Sequence, residues 1–290
     1  MKRILLPTDF SPCAETAKKV AFDLAKKIDG EVHIVHSVNT IIDWKKVPAI
    51  TNQAAVLPSD YTFESHLAEP VEEAMDQVRE ALDGMVQEAR ANWIKAESHL
   101  VLNKTYEGII DFAKEWDIDL IVMGTHGAKG LKDTFVGSNT QRVVRYAKCP
   151  ILTVKEPLEN EAIQNVVYAS DFDEKDLNTN IAKVRDFASQ FNAKLHLLYV
   201  NTPNYFEETK YTQRKMEMLA KKYELKDFTI NIYNDFVAED GVLEFAKRCD
   251  ADVVSITTHG YKGIRRLFNN NVTEQLINAS KAPVLCLNLE

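Results

Sequence analysis

The chain has 290 residues, of which 45% are hydrophobic and 27% charged, with a formal net charge of −8. That length suits two ordinary domains, each able to bury its own core. No apolar run approaches the roughly 20 residues that a membrane span needs, and the acidic balance argues against a general nucleic-acid surface, which carries a basic stripe.

A strand begins at once in Ile4-Leu-Leu-Pro7-Thr8-Asp9-Phe10, with no leader pattern before it, which predicts a cytoplasmic location. A helix and a second strand, Val32-His-Ile-Val-His36-Ser37-Val38, follow. Asn39 to Leu67, with Trp44, Pro48, Pro58 and Tyr61, is then a long excursion, and loops of that length are functional or mobile. From Pro70 to Trp93 the apolar residues Val71, Ala74, Met75, Val78, Leu82, Met85, Val86 and Ala89 recur at helical spacing and predict one core-facing stripe.

Next, the apolar strand Asp119-Leu-Ile-Val-Met123 runs into Gly124-Thr125-His126-Gly127, followed by nine residues and Gly137-Ser138. Glycine permits φ > 0 and close backbone approach to a ligand, and a helix from Asn139 to Ala147 would aim its unpaired N–H groups at the same point. This is phosphate-binding chemistry, although a plain tight turn fits the spacing equally well. Cys149-Pro-Ile-Leu-Thr-Val154 closes the half as a strand, and Lys155 to Gln164, acidic and containing a proline, reads as a linker.

The second half repeats the first. Ile4-Leu-Leu-Pro-Thr-Asp9-Phe10 returns as Val166-Val-Tyr-Ala-Ser-Asp171-Phe172, and Val32-His-Ile-Val-His36 as Leu195-His-Leu-Leu-Tyr199. Ile118 to Gly127 returns as Ala251 to Gly260, and Lys148 to Val154 as Lys281 to Leu287. Alternating strands and helices with nearly continuous apolar strands predict parallel βαβ units covered on both faces. The expected fold class is therefore α/β, two tandem open doubly wound parallel sheets, over residues 1–155 and 164–290. In such sheets ligands sit beyond the carboxyl ends of the strands at the switch point, where Asp9, Ser37 and the Gly124 loop would meet. Repeat two has Thr257, Gly260, Asn270 and Asn271 where repeat one has Gly124, Gly127, Gly137 and Ser138. An intact site is thus expected in repeat one alone. Asp9 and its copy Asp171 also suit a helix cap.

The residues opening each strand, the G-x2-G-x9-G-S run and the Cys149 strand together resemble a universal stress protein domain of the ATP-binding branch. That resemblance implies an adenine nucleotide alpha hydrolase-like fold and a nucleotide site. Carried over by position, Pro7, Thr8 and Asp9 face the adenosine, and Ser37 stands where a valine backbone pairs with the adenine edge. Met123, Gly124, His126 and Gly127 line the ribose and phosphates, and Gly137, Ser138 and Asn139 close over the phosphates. The implied ligand is ATP or AMP, with Mg²⁺ held by the phosphates and no protein metal site. Single-domain relatives dimerise, so the copies are expected to form an intramolecular pseudo-dimer meeting at Ile151 to Val154 and Val284 to Leu287, with further homodimerisation open.

His126 invites a general-base role, but its copy His259 persists beside the degenerate motif, favouring a shared structural role. Arg142 and Arg145 lie one turn apart and suit either phosphate or a solvated helix face. There is no Walker lysine motif, zinc signature or nucleophile elbow. Cys13, Cys149, Cys249 and Cys286 lack CxxC spacing and read as apolar filler, Cys13 alone standing close enough to the site for a redox role. The expected function is a non-enzymatic nucleotide-binding stress protein acting on an unidentified protein partner. Slow ATP hydrolysis or nucleotidyl transfer, and a ligand-free scaffold using the long excursion, are the alternatives.

Overall fold

The computed structural model describes residues 1–38, 65–102, 105–125, 137–158, 162–172, 180–258 and 270–288. The excursion up to residue 64 and residues 126–136 of the glycine loop, with His126 and Gly127, lie outside the described residues.

Repeat one runs β1 (Arg3–Pro7), α1 (Pro12–Ile28), β2 (Glu31–Val38), α2 (Ser65–Ala91), β3 (Lys95–Leu102), α3 (Thr105–Glu115), β4 (Leu120–Gly124), α4 (Ser138–Tyr146) and β5 (Ile151–Val154). Repeat two follows with β6 (Asn165–Ala169), α5 (Asn180–Gln190), β7 (Lys194–Asn201), α6 (Thr209–Lys222), β8 (Phe228–Asn234), α7 (Ala238–Arg248), β9 (Val253–Thr258), α8 (Asn270–Ala279) and β10 (Val284–Asn288). The alternation is the predicted one. None of the described helices is long and apolar enough to cross a membrane.

The ends of α1 show why it forms where it does. Ser11 caps it, its Oγ accepting the Ala14 amide at 3.3 Å, with Pro12 in the first turn and Asp29 left-handed at φ 48° beyond the last. α2 begins at Ser65 rather than Pro70: proline favours a first turn but does not bar a turn before it. The predicted stripe is otherwise present, with Leu82, Val86 and Ala89 buried and Val78 and Met85 packed against the core.

All ten strands join one sheet in the order β3-β2-β1-β4-β5-β10-β9-β6-β7-β8. Pairing is parallel within each repeat and antiparallel at the seam, where Val284, Leu285 and Cys286 face Thr153, Leu152 and Ile151. The apolar last strands do meet, because an unpaired strand edge of this composition is satisfied by its own copy. Central strands such as Ile151–Val154 and Val284–Asn288 are buried throughout, whereas the edge strand Phe228–Asn234 is half-exposed. One hydrophobic core runs through both repeats.

The seam is sealed by a reciprocal exchange of caps. Asn288, at the end of β10, donates from Nδ2 to the carbonyls of Val144 (2.8 Å) and Ala147 (2.5 Å) at the carboxyl end of α4. Lys155, its counterpart after β5, donates from Nζ to the carbonyls of Asn278 and Ser280 at the carboxyl end of α8. Each side chain satisfies carbonyls that a helix end leaves unpaired, and Lys155 also complements the helix dipole. Lys155, read as the start of a linker, is thus part of the seam. Since the Asn288 carboxamide is buried, Asn288→Ala is expected to cost about 1–3 kcal/mol, the penalty for stranded polar groups. Chemical denaturation should show that loss in one cooperative transition, because the core is continuous.

Candidate functional site

β1 and β4 are neighbours, pairing Ile4 with Leu120 and Leu5 with Ile121, while β2 lies on the other side of β1. Chain order therefore reverses between β1 and β4. At their carboxyl ends the structure collects Pro7, Thr8 and Asp9 after β1, Ser37 near the end of β2, and Met123 and Gly124 at the end of β4. Gly137, Ser138 and Asn139 join them at the start of α4, tied in by Thr140, whose Oγ1 donates to the Gly124 carbonyl at 3.4 Å. The predicted site residues that are described thus lie at the carboxyl ends of β1, β2 and β4, just after β1, or at the start of α4.

The loop after β1 is braced from within. The Thr8 amide donates to the Val35 carbonyl at 2.8 Å, and Thr8 Oγ1 accepts the Phe10 amide at 3.1 Å. Asp9 Oδ1 accepts the Ser11 amide at 3.0 Å, so Asp9 shapes the turn ahead of α1 while Ser11 is the cap. The bracing leaves Phe10 at φ 59° with its ring 41% exposed. His36 holds the same loop, its Nδ1 standing 2.8 Å from the Thr8 carbonyl and its ring centroid 4.9 Å from that of Phe10. Neither residue stood out as a site residue in the sequence, where both read as parts of a strand pattern.

The two described glycines differ in kind. A Cβ on Gly124 would lie 2.1 Å from the Cys13 carbonyl oxygen and 2.4 Å from its carbon. The first turn of α1 therefore rests directly on the end of β4, and internal packing by itself requires a glycine at 124. Gly137 has φ −50° and ψ 137°, which any residue adopts, so the positive φ expected of the motif is not required there. Among the described residues, the nearest atom to a Cβ built on it is Thr140 Oγ1 at 4.0 Å. Among the described residues no side chain caps α4, so none of them holds its leading N–H groups as a side-chain cap would. Nothing described in the chain demands a glycine at 137.

Repeat two occupies the same point with its own side chains. Tyr168, at the position of Leu6, is fully buried and its hydroxyl lies 2.9 Å from Oγ1 of Thr257, the counterpart of Gly124. Phe172 and Tyr199, counterparts of Phe10 and His36, are 0% and 2% exposed, and the Tyr199 hydroxyl donates to the Tyr205 carbonyl at 2.9 Å. Burial pushes the Tyr168 phenol up to about 12, so it remains a neutral donor.

The surroundings of Arg142 and Cys13 bear on two other readings. Arg142 places its guanidinium 5.0 Å from the centroid of the Tyr106 ring on α3, a cation–π contact that binds helix to helix. For Cys13, burial first and the Asp9 charge second raise the thiol above its ordinary value, the opposite of an activated redox cysteine. Burial also pushes Cys149 up to about 12 and raises Cys286 further, as expected of apolar filler.

Comparison with known proteins bears on the family and the fold. A universal stress protein of Methanocaldococcus jannaschii is 31% identical over 160 residues, covering 54% of this chain and 83% of its own. One from Synechocystis sp. is 23% identical across 98% of this chain and 99% of its own. The crystal structure of a universal stress protein from Archaeoglobus fulgidus shares the fold with a TM-score of 0.73 at 20% identity, covering 99% of this chain and 98% of that one. The sequence model of the Universal stress protein family matches residues 1–155 and again residues 162–288, and the chain accordingly belongs to that family, with two copies in tandem.

Proposed function

We propose that repeat one binds an adenine nucleotide, ATP or AMP, as a non-catalytic sensor in the cytoplasm, with Mg²⁺ accompanying the phosphates of ATP. The contrast between the repeats carries this reading. At the switch point repeat two buries Tyr168, Phe172 and Tyr199, while repeat one has a half-exposed Phe10 beside His36 and, among the described residues, no side-chain cap on α4 and no internal need for a glycine at 137. In this assignment the base stacks on Phe10 near Thr8 and Ser37, and the phosphates reach the N–H groups of Ser138 and Asn139. The α4 dipole favours an anion there.

α4 also supplies a route for the signal. Its amino end meets the phosphates, and its carboxyl end is held by Asn288 of repeat two. Ordering α4 by ligand therefore acts on the seam and on whatever protein partner reads repeat geometry. The ligand moves that equilibrium only by its differential affinity for the two arrangements.

Purified chain should release an adenine nucleotide on denaturation, identified by mass spectrometry, and should bind added ATP or AMP in calorimetry without matching turnover. Binding with turnover would favour the enzymatic alternative, and no binding the ligand-free scaffold. Stacking of a base on an aromatic ring is worth about 1–3 kcal/mol. Phe10→Ala is accordingly expected to weaken ATP roughly 5- to 150-fold with little change in melting temperature, since the ring is half-exposed. Unchanged ATP affinity in that variant would remove Phe10 from the site.

A further inference from the structure

The outer strands of repeat one carry a cluster that the nucleotide site does not use. The β2–β3 register sets His33 opposite Glu97 and Val35 opposite His99, so that both histidines and Glu97 lie on the sheet face covered by Phe112 and Trp116 of α3. His33 Nδ1 and His99 Nε2 are 3.2 Å apart. One ligand atom from each of His33, Glu97 and His99 lies within 4.8 Å of the others. Two ligands held tetrahedrally at metal–ligand distances of about 2.0–2.1 Å stand roughly 3.3 Å apart, the spacing the imidazole pair already has.

The surroundings favour a cation over a simple histidine pair. His33 is buried, and its other nitrogen, Nε2, makes no hydrogen bond. It faces Glu31 Oε1 at 3.5 Å, and that carboxylate is held by Arg3 Nε at 3.1 Å. A carboxylate behind a ligating histidine fixes its tautomer and strengthens it as a donor.

Repeat two shows what a purely structural histidine at this place looks like. His196, the counterpart of His33, has Nδ1 at 2.8 Å from Thr229 Oγ1 and Nε2 at 3.1 Å from Asn165 Oδ1. Thr229 and Asn231 stand at the register positions of Glu97 and His99. Neutral partners satisfy both nitrogens there, whereas repeat one substitutes a carboxylate and a second imidazole and leaves one nitrogen unpaired.

We propose that His33, Glu97 and His99 form a site for a divalent transition-metal ion of the zinc class, with water in the fourth position. Glu97 is exposed on the outermost strand and gives the ion a way in. Binding would clamp β3 to β2 from the edge of the sheet. Imidazole nitrogens select zinc, copper or nickel over magnesium, so this site is distinct from any Mg²⁺ carried by nucleotide phosphates.

The test uses the full chain, free of any affinity tag and stripped with chelator, titrated with Zn²⁺ by calorimetry and with Co²⁺ as a spectroscopic probe. One equivalent per chain is expected, with the ligand-field absorption of a four-coordinate Co²⁺ site. Trp116 emission should change too, since its ring centroid is 4.8 Å from that of His99. Losing an outer-shell partner costs roughly 10- to 100-fold in metal affinity. His99→Asn, which installs the residue repeat two carries, should therefore lose at least about a hundredfold. Glu97→Gln, at an exposed position that cannot upset the core, should lose at least about tenfold. His196→Asn should leave metal affinity unchanged. Absence of stoichiometric uptake by the wild-type chain, or uptake equally strong in His99→Asn and Glu97→Gln, would overturn the proposal.

Discussion

Gly137→Val should abolish most nucleotide binding while leaving the protein folded. The residue already lies at φ −50° and ψ 137°, a conformation valine adopts readily, and no described atom lies closer than 4.0 Å to the added Cβ. Among the described residues its internal cost is at the helix N-cap position, where valine is worse than glycine by about 1 kcal/mol or less. A branched side chain there would stand over the first N–H groups of α4, which the proposed site offers to the phosphates. Losing two charge-assisted hydrogen bonds of about 1.5–3 kcal/mol each corresponds to at least roughly a hundredfold in affinity. Calorimetric titration with ATP, beside a thermal melt without ligand, separates the two effects. The matching change in repeat two, Asn270→Val, should leave ATP affinity as in the wild type, because Tyr168, Phe172 and Tyr199 fill that switch point. Equal losses from both variants would refute a single site in repeat one.

The same contrast shows where sequence reasoning succeeds and where it stops. Strands such as Leu120–Gly124 and Ile151–Val154 are legible because strands buried on both faces must be apolar throughout, and the duplication could be read by laying those runs over one another. The seam followed from the same runs, since two apolar last strands need partners. The loss of glycines in repeat two was visible, but its replacement by a plug was not noticed. The signal was present in the substitution of Leu6 by Tyr168 and of His36 by Tyr199, which add bulk near the carboxyl ends of β6 and β7. Phe10 and His36 escaped notice because their importance depends on exposure, which alternation along a strand does not reveal. His99 escaped for a related reason: its nearness to His33 is set by the register of β2 against β3, and parallel register is written in no local pattern.

Gly124→Ala should destabilise the whole chain, although it adds a single methyl group to the same motif. The new Cβ would lie 2.1 Å from the Cys13 carbonyl oxygen and 2.4 Å from its carbon, both backbone atoms in the first turn of α1, so no side-chain rotation relieves the clash. Either α1 moves off β4, opening the core beneath Ala14 and Ala17, or the Cys13 peptide distorts. Overpacking a core by one methylene costs about 1–3 kcal/mol where side chains can adjust. A backbone obstacle should cost at least about 3 kcal/mol, lowering the melting temperature by roughly 6–12 °C if each kcal/mol moves it about 2–4 °C. Because one core spans both repeats, the loss should appear as a shift of one transition, measured by calorimetry without nucleotide. Repeat two accepts a side chain at this position, since Thr257 sits there bonded to Tyr168, so Thr257→Gly should not stabilise the chain and should instead remove one hydrogen bond from the buried Tyr168 hydroxyl, leaving Ser170 as its partner. A Gly124→Ala melt within about a degree of the wild type would mean that α1 does not rest on β4 as described. Gly124 would then return to the nucleotide site with Gly137, and the division of the motif into one packing glycine and one ligand glycine would fail.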